Sequence, residues 1–126
     1  MDKQIQLFKL CEETHQRWYE ALHLAHDLER KLKRLLKSLQ SPLGIDYKKY
    51  SSEARRKARV ILGKKNGYEI DHKISLKLCW VIGIPLEEVN RKENLAHVRR
   101  SKNRRKSFLV NWKEFGIIFP EYEDLI

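Results

Sequence analysis

Residues 68–107 read YEIDHKISLKLCWVIGIPLEEVNRKENLAHVRRSKNRRKS, and the fold turns on how this stretch is read. Tyr68-Glu69-Ile70-Asp71-His72 follows the turn signal Gly63-Lys64-Lys65-Asn66-Gly67 and predicts a short strand. Leu95-Ala96-His97-Val98 predicts a second strand. Between them, residues 76–90 form a mostly apolar excursion, predicted helical in two pieces split by Gly83 and Pro85. Ser101 is placed to cap a helix from about Lys102 into residues 107–114. Asp71-His72 therefore closes one strand and Asn94-Leu95 opens the next. Ser101-Lys102-Asn103-Arg104-Arg105-Lys106 stands at a helix start, with Asn103 nine residues after Asn94.

Upstream, residues 4 to about 40 lack glycine and proline and predict one long helix. Leu7, Cys11, Thr14, Trp18, Ala21, Ala25, Leu28, Leu32, Leu35 and Leu39 alternate spacings of four and three, a heptad-like seam. Ile5, Phe8, Leu10, Tyr19, Leu22, Leu24 and Leu36 widen it, which suits packing within the chain as well as self-association. Ser41-Pro42-Leu43-Gly44 ends the helix. Residues 45–50 read as a connector, and Ser51-Ser52-Glu53 as the cap of a second helix running to about Leu62, with Arg55, Arg56, Lys57 and Arg59 on its exposed side. The tail from Gly116 to Ile126, apolar and acidic, is expected to fold back as a cover over the basic segment. Trp18, Trp80 and Trp112 are expected in the core, as is Cys79-Trp80-Val81-Ile82.

Charge sharpens the reading. The 126 residues carry net charge +10, but the excess is segregated: residues 1–46 hold 8 basic and 7 acidic side chains, residues 47–106 hold 18 and 6, and residues 107–126 hold 1 and 4. A basic middle of this kind points to a polyanion partner, and nucleic acid fits it best. Its glycines and proline argue against one amphipathic membrane-surface helix. No run approaches the length of a membrane span, and Met1 to Gln6 open no secretory segment, so a cytoplasmic, non-secreted protein is expected. Cys11 and Cys79 make no disulfide framework and no CxxC zinc knuckle. Cys11 with His15, and His23 with Asp27, have ligand spacing on a helix but lack a third ligand.

Asp71-His72, Asn94-Leu95 and Asn103 at these spacings resemble the HNH nuclease family in its HNN variant, found in homing endonucleases and in the HNH domains of RNA-guided DNA nucleases. The resemblance spans about forty of the 126 residues and excludes the N-terminal helix. It implies an α+β, mainly helical fold with a ββα-metal (His-Me finger) core. By analogy, His72 takes a proton from water, which an imidazole with an ordinary pKa near 6.5 can do at neutral pH. Asn94 steadies the loop that carries His72. Asp71 and the amide oxygen of Asn103 supply oxygen ligands to one Mg²⁺ or Mn²⁺ ion. Adjacent strand residues face opposite ways, so Asp71 and His72 share a site only if the chain bends there. Many family members carry four zinc-binding cysteines; this chain lacks them, so no structural zinc is expected. Ser75 also stands near a position where the family often has proline, which puts the local loop shape in question.

The remaining cations, Arg55, Arg56, Arg59, Lys64, Lys65, Lys73, Arg99, Arg100, Arg104, Arg105 and Lys106, are candidates for phosphate binding. His97 is a candidate substrate contact or a packed histidine. The expected organisation is a long helix over 1–46 for packing or dimerisation, a nuclease core over 47–114 and an acidic tail over 115–126. The expected activity is metal-dependent hydrolysis of DNA, as a nick or a double-strand break, by a phage- or mobile-element-encoded enzyme. The alternative is a non-catalytic basic nucleic-acid-binding protein that dimerises through its N-terminal helix, or an adaptor whose helix docks on a larger protein.

Overall fold

Thirty-six residues free of glycine and proline, Lys3–Ser38, form the single helix α1. The computed structural model describes residues 2–101 and 110–125. Asp2 caps α1, its carboxylate accepting from the Gln4 amide at 2.6 Å. Lys33–Glu29 at 3.3 Å and Arg30–Asp27 add the pairs expected one turn apart. No residue of α1 is buried, and Leu7, Trp18, Leu28 and Leu35 of the seam are each more than half exposed. The chain divides into two compact units, Met1–Leu39 and Gln40–Ile126. No helix among the described residues is long and apolar enough to cross a membrane.

In the second unit, helix α2 spans Tyr47–Leu62 and starts earlier than the serines suggest. Asp46 is the cap, accepting from the Lys49 amide at 2.9 Å. Ser51 instead lies buried inside the helix, its hydroxyl donating back to the Lys48 carbonyl at 3.3 Å. Starting at Asp46 extends the buried stripe Tyr50, Ala54, Ala58 by a full turn at its aromatic end. Gly63 stops α2 at a positive φ of 73°. Strand β1 (Tyr68–His72) pairs antiparallel with β2 (Leu95–Arg99), with Ile70 opposite His97, Asp71 opposite Ala96 and His72 opposite Leu95. The excursion between the strands holds α3 (Leu76–Ile82) and α4 (Leu86–Val89). Gly83 joins them at φ 96°, and a Cβ there would sit 2.6 Å from Pro42 Cγ, so the position demands glycine twice over. Helix α5 (Trp112–Ile118) and a 3-10 turn (Pro120–Leu125) close the unit.

The core gathers Tyr50, Ala54, Ile74, Leu76, Cys79, Trp80, Ile84, Val89, Phe115, Ile118 and Phe119. Two buried polar tips find partners: the Tyr50 hydroxyl donates to Ile84 O at 2.7 Å and the Trp80 indole to Ile45 O at 2.7 Å. Burial pushes the Cys79 thiol up to about 12 and the Tyr50 phenol well above its ordinary value.

The tail joins this core, and none of its described residues lines the basic cleft below. Burying Phe115, Ile118 and Phe119 gains about 1.5–3 kcal/mol each. Attraction of exposed acids to surface cations gains about 0–1 kcal/mol each, so packing decides where the tail goes. Arg91 fastens it, donating to Ile118 O at 2.9 Å, pairing with Glu121 and lying over the Phe119 ring at 5.1 Å. Of the three tryptophans only Trp80 is buried; Trp18 is 57% exposed and Trp112 50%. Each of those two lies on a helix face that its own unit leaves open to solvent.

Candidate active site and nucleic-acid interface

The sheet register sorts the motif residues by face. Tyr68, Ile70 and His72 share one face with Leu95, His97 and Arg99; Glu69 and Asp71 share the other with Ala96 and Val98. The expected bend between Asp71 and His72 does not occur, because His72 stays in the ladder opposite Leu95. The chain changes direction only after it, at Lys73–Ser75.

That turn is braced by Asn94, which is fully buried. Its carboxamide oxygen accepts from the Ile74 amide at 2.8 Å, its backbone carbonyl from the Lys73 amide at 2.8 Å, and its side-chain nitrogen donates to Val89 O at 2.9 Å. Ile74, 1% exposed, plugs the loop into the core, and Ser75 caps α3 through the Leu78 amide at 3.2 Å. Asn94 thus acts on the loop and makes no contact with the cleft.

His72 is 6% exposed, with Nε2 at 2.7 Å from Asn90 Oδ1. Asn90 Nδ2 in turn donates to Ala54 O of α2 at 3.0 Å. His72 also lines a cleft of about 720 Å³ between α2, the 63–65 turn and the sheet. His97, the diagonal cross-strand neighbour of His72, lines it too; its Nε2 lies 3.4 Å from Leu62 O and its Nδ1 is buried without a partner among the described residues. Arg55 and Arg59 come from one wall, Lys64 and Lys65 from the turn, and Arg100 from beyond β2. The one acid in the lining among the described residues, Glu69, lies 3.8 Å from Arg100. The Arg99 guanidinium beside Tyr68, and then Lys65 at 4.1 Å over its ring, hold the Tyr68 phenol below its ordinary value. The electrostatic field in the cleft is therefore strongly positive.

Of the remaining sequence candidates, Arg56 pairs with Glu53 at 2.8 Å and does not line the cleft. Lys73 and Arg99 are exposed and do not line the cleft. Asn103, Arg104, Arg105 and Lys106 lie outside the described residues. The backbone is helical at Arg100 and Ser101, one position ahead of the expected cap.

Among the described residues no three of His, Cys, Asp and Glu gather as a metal site. Asp71 offers carboxylate oxygens, the donor type a hard divalent cation takes, on the sheet face opposite His72. Nothing in residues 86–94 of the sequence singles out Asn90, whose place after Leu86–Val89 reads as an ordinary helix end. No family model, curated protein or solved structure matches the chain.

Proposed function

We propose that the chain is a metal-dependent endonuclease of the HNH type that hydrolyses DNA phosphodiesters. The observation that carries this reading is a mostly buried histidine, His72, held by Asn90 and opening on a cleft lined by Arg55, Arg59, Lys64, Lys65 and Arg100. Those cations bind phosphates on either side of the scissile one. His72 takes the proton from a water whose oxygen forms a bond to phosphorus. The P–O3′ bond breaks and the leaving oxygen takes a proton from solvent water, giving 5′-phosphate and 3′-hydroxyl ends. A divalent ion would supply positive charge to the phosphate oxygens, and one held by Asp71 with Asn103 would reach the phosphate beside His72 only if the chain bends between Asp71 and His72 on binding. One site cuts one strand, so a monomer nicks; pairing through α1 would bring two sites to a duplex.

The experiment is relaxation of supercoiled plasmid in Mg²⁺, Mn²⁺ or EDTA. Relaxed or linear product is expected with metal and none with EDTA. Binding that persists in EDTA, falls steeply with salt and leads to no cleavage in any metal would overturn the proposal. That outcome belongs to the second reading, a non-catalytic nucleic-acid-binding protein, which is favoured by one observation: Asp71 and His72 stand on opposite faces of the sheet.

A further inference from the structure

We infer that Asn90 is a positioning residue for His72, holding its imidazole as the Nε2–H tautomer so that Nδ1 carries the lone pair. The two carboxamide atoms of Asn90 are told apart by their neighbours. Ala54 O, 3.0 Å away, is an acceptor, so the atom facing it must be Nδ2. Turning the amide over would press two acceptors together where Asn90 is only 5% exposed, leaving both unpaired in a buried site. Oδ1 therefore faces His72 Nε2 at 2.7 Å and needs a donor there. In a neutral imidazole only one nitrogen bears hydrogen, so the bond selects the tautomer.

The relay ends on Ala54, a residue with no side chain beyond Cβ on the buried stripe of α2. A larger side chain there would crowd the core, since Ala54 is fully buried. The next residue, Arg55, lines the cleft, so one helix carries both the anchor of the histidine and a phosphate-binding cation. Asn94 plays a different part, bracing the loop backbone, whereas Asn90 touches the ring itself.

The catalytic consequence rests on the endonuclease reading; the tautomer does not. The test is ¹⁵N NMR of the full chain at about pH 8, where an ordinary imidazole is neutral. The expected result is a pyrrole-type Nε2 and a pyridine-type Nδ1 for His72. A pyrrole-type Nδ1 in the wild type overturns the inference, and this measurement needs no variant to fold. Asn90→Leu, close in size but without an acceptor, is expected to lose the signature. In Mg²⁺ it should lower kcat by about 10²-fold or more, with KM within about twofold. A folded Asn90→Leu that keeps the wild-type signature also overturns the inference. If the wild type cuts nothing, the functional reading fails while the NMR result still decides the role of Asn90.

Discussion

Arg91 and Arg59 belong to the same compact unit, which uses them in opposite ways. Arg91 is surrounded: a backbone carbonyl, Glu88, Glu121 and the face of Phe119 account for its guanidinium. Arg59, with Arg55 and Lys64, lines the cleft and forms no ion pair among the described residues. A cation held by several groups at once fastens structure. Cations gathered around one cleft, with a single acid among them, repel one another and are stabilised by bringing in an anion. The tail side of the unit thus commits its cation to internal contacts, whereas the cleft side, on the proposed reading, keeps its cations for a bound anion. Substitutions on the two sides should change different observables.

The largest effect is expected in the tail core. Phe115→Ala empties a fully buried site and should cost about 3–5 kcal/mol in urea unfolding. A loss below about 1 kcal/mol would mean that the tail is not part of the core. Arg91→Ala should cost about 1–3 kcal/mol, since it strips partners from Glu88, Glu121 and Ile118 O, yet leave DNA affinity within twofold.

The double variant Arg55→Ala, Arg59→Ala should do the reverse. Stability should stay within about 0.5 kcal/mol. The slope of log affinity against log salt should become shallower by about 0.9 for each phosphate no longer neutralised. Equal effects of this pair and of Arg91→Ala on DNA binding would erase the contrast between the two sides.

Alkali should act on the core first. The Cys79 thiol titrates near 12 when folded against an ordinary value near 9, because of burial. Between those values the folded state keeps a proton that the unfolded chain has released, so stability falls as pH rises. The stabilisation is fully present below about pH 9, and Cys79 should account for about 1.4 kcal/mol per pH unit above it. The Tyr122 phenol, pushed up from 10 to about 12 by burial and its bond to Glu88, adds to the upper part of this window, from about pH 10. The smallest signal is chemical: a thiol reagent at neutral pH should label the exposed Cys11 and leave Cys79 untouched until the protein unfolds.

Local signals were legible in the sequence. The turn at Gly63–Gly67, both strands and the two short helices parted by Gly83 and Pro85 stand where glycine, proline and alternation put them. So does the long helix, whose seam is a matter of spacing alone. Contacts between distant segments were not legible. Asp46 displaced Ser51 as the cap because Tyr50 had a buried place to fill. Asn90 gains its role from residues 18 and 36 positions away, a relation that no local pattern carries. The tail's acids suggested a cover for the basic segment, but its three large apolar side chains, spaced for one helical face, settled where it packs. At the site, the place of His72 at a strand end was legible, whereas its separation from Asp71 followed from a register known only once the strands pair.

The most direct test separates binding from cutting at one residue. Cleavage of an end-labelled DNA duplex in Mg²⁺ is measured under single turnover for wild type and His72→Ala, alongside their affinities for the same duplex in EDTA. With His72 as the base, the affinities should be equal and the cleavage rate lower by about 10²–10⁴-fold in the variant. A folded His72→Ala that cuts at the wild-type rate, or a wild type that holds the duplex and never cuts it, would contradict that role.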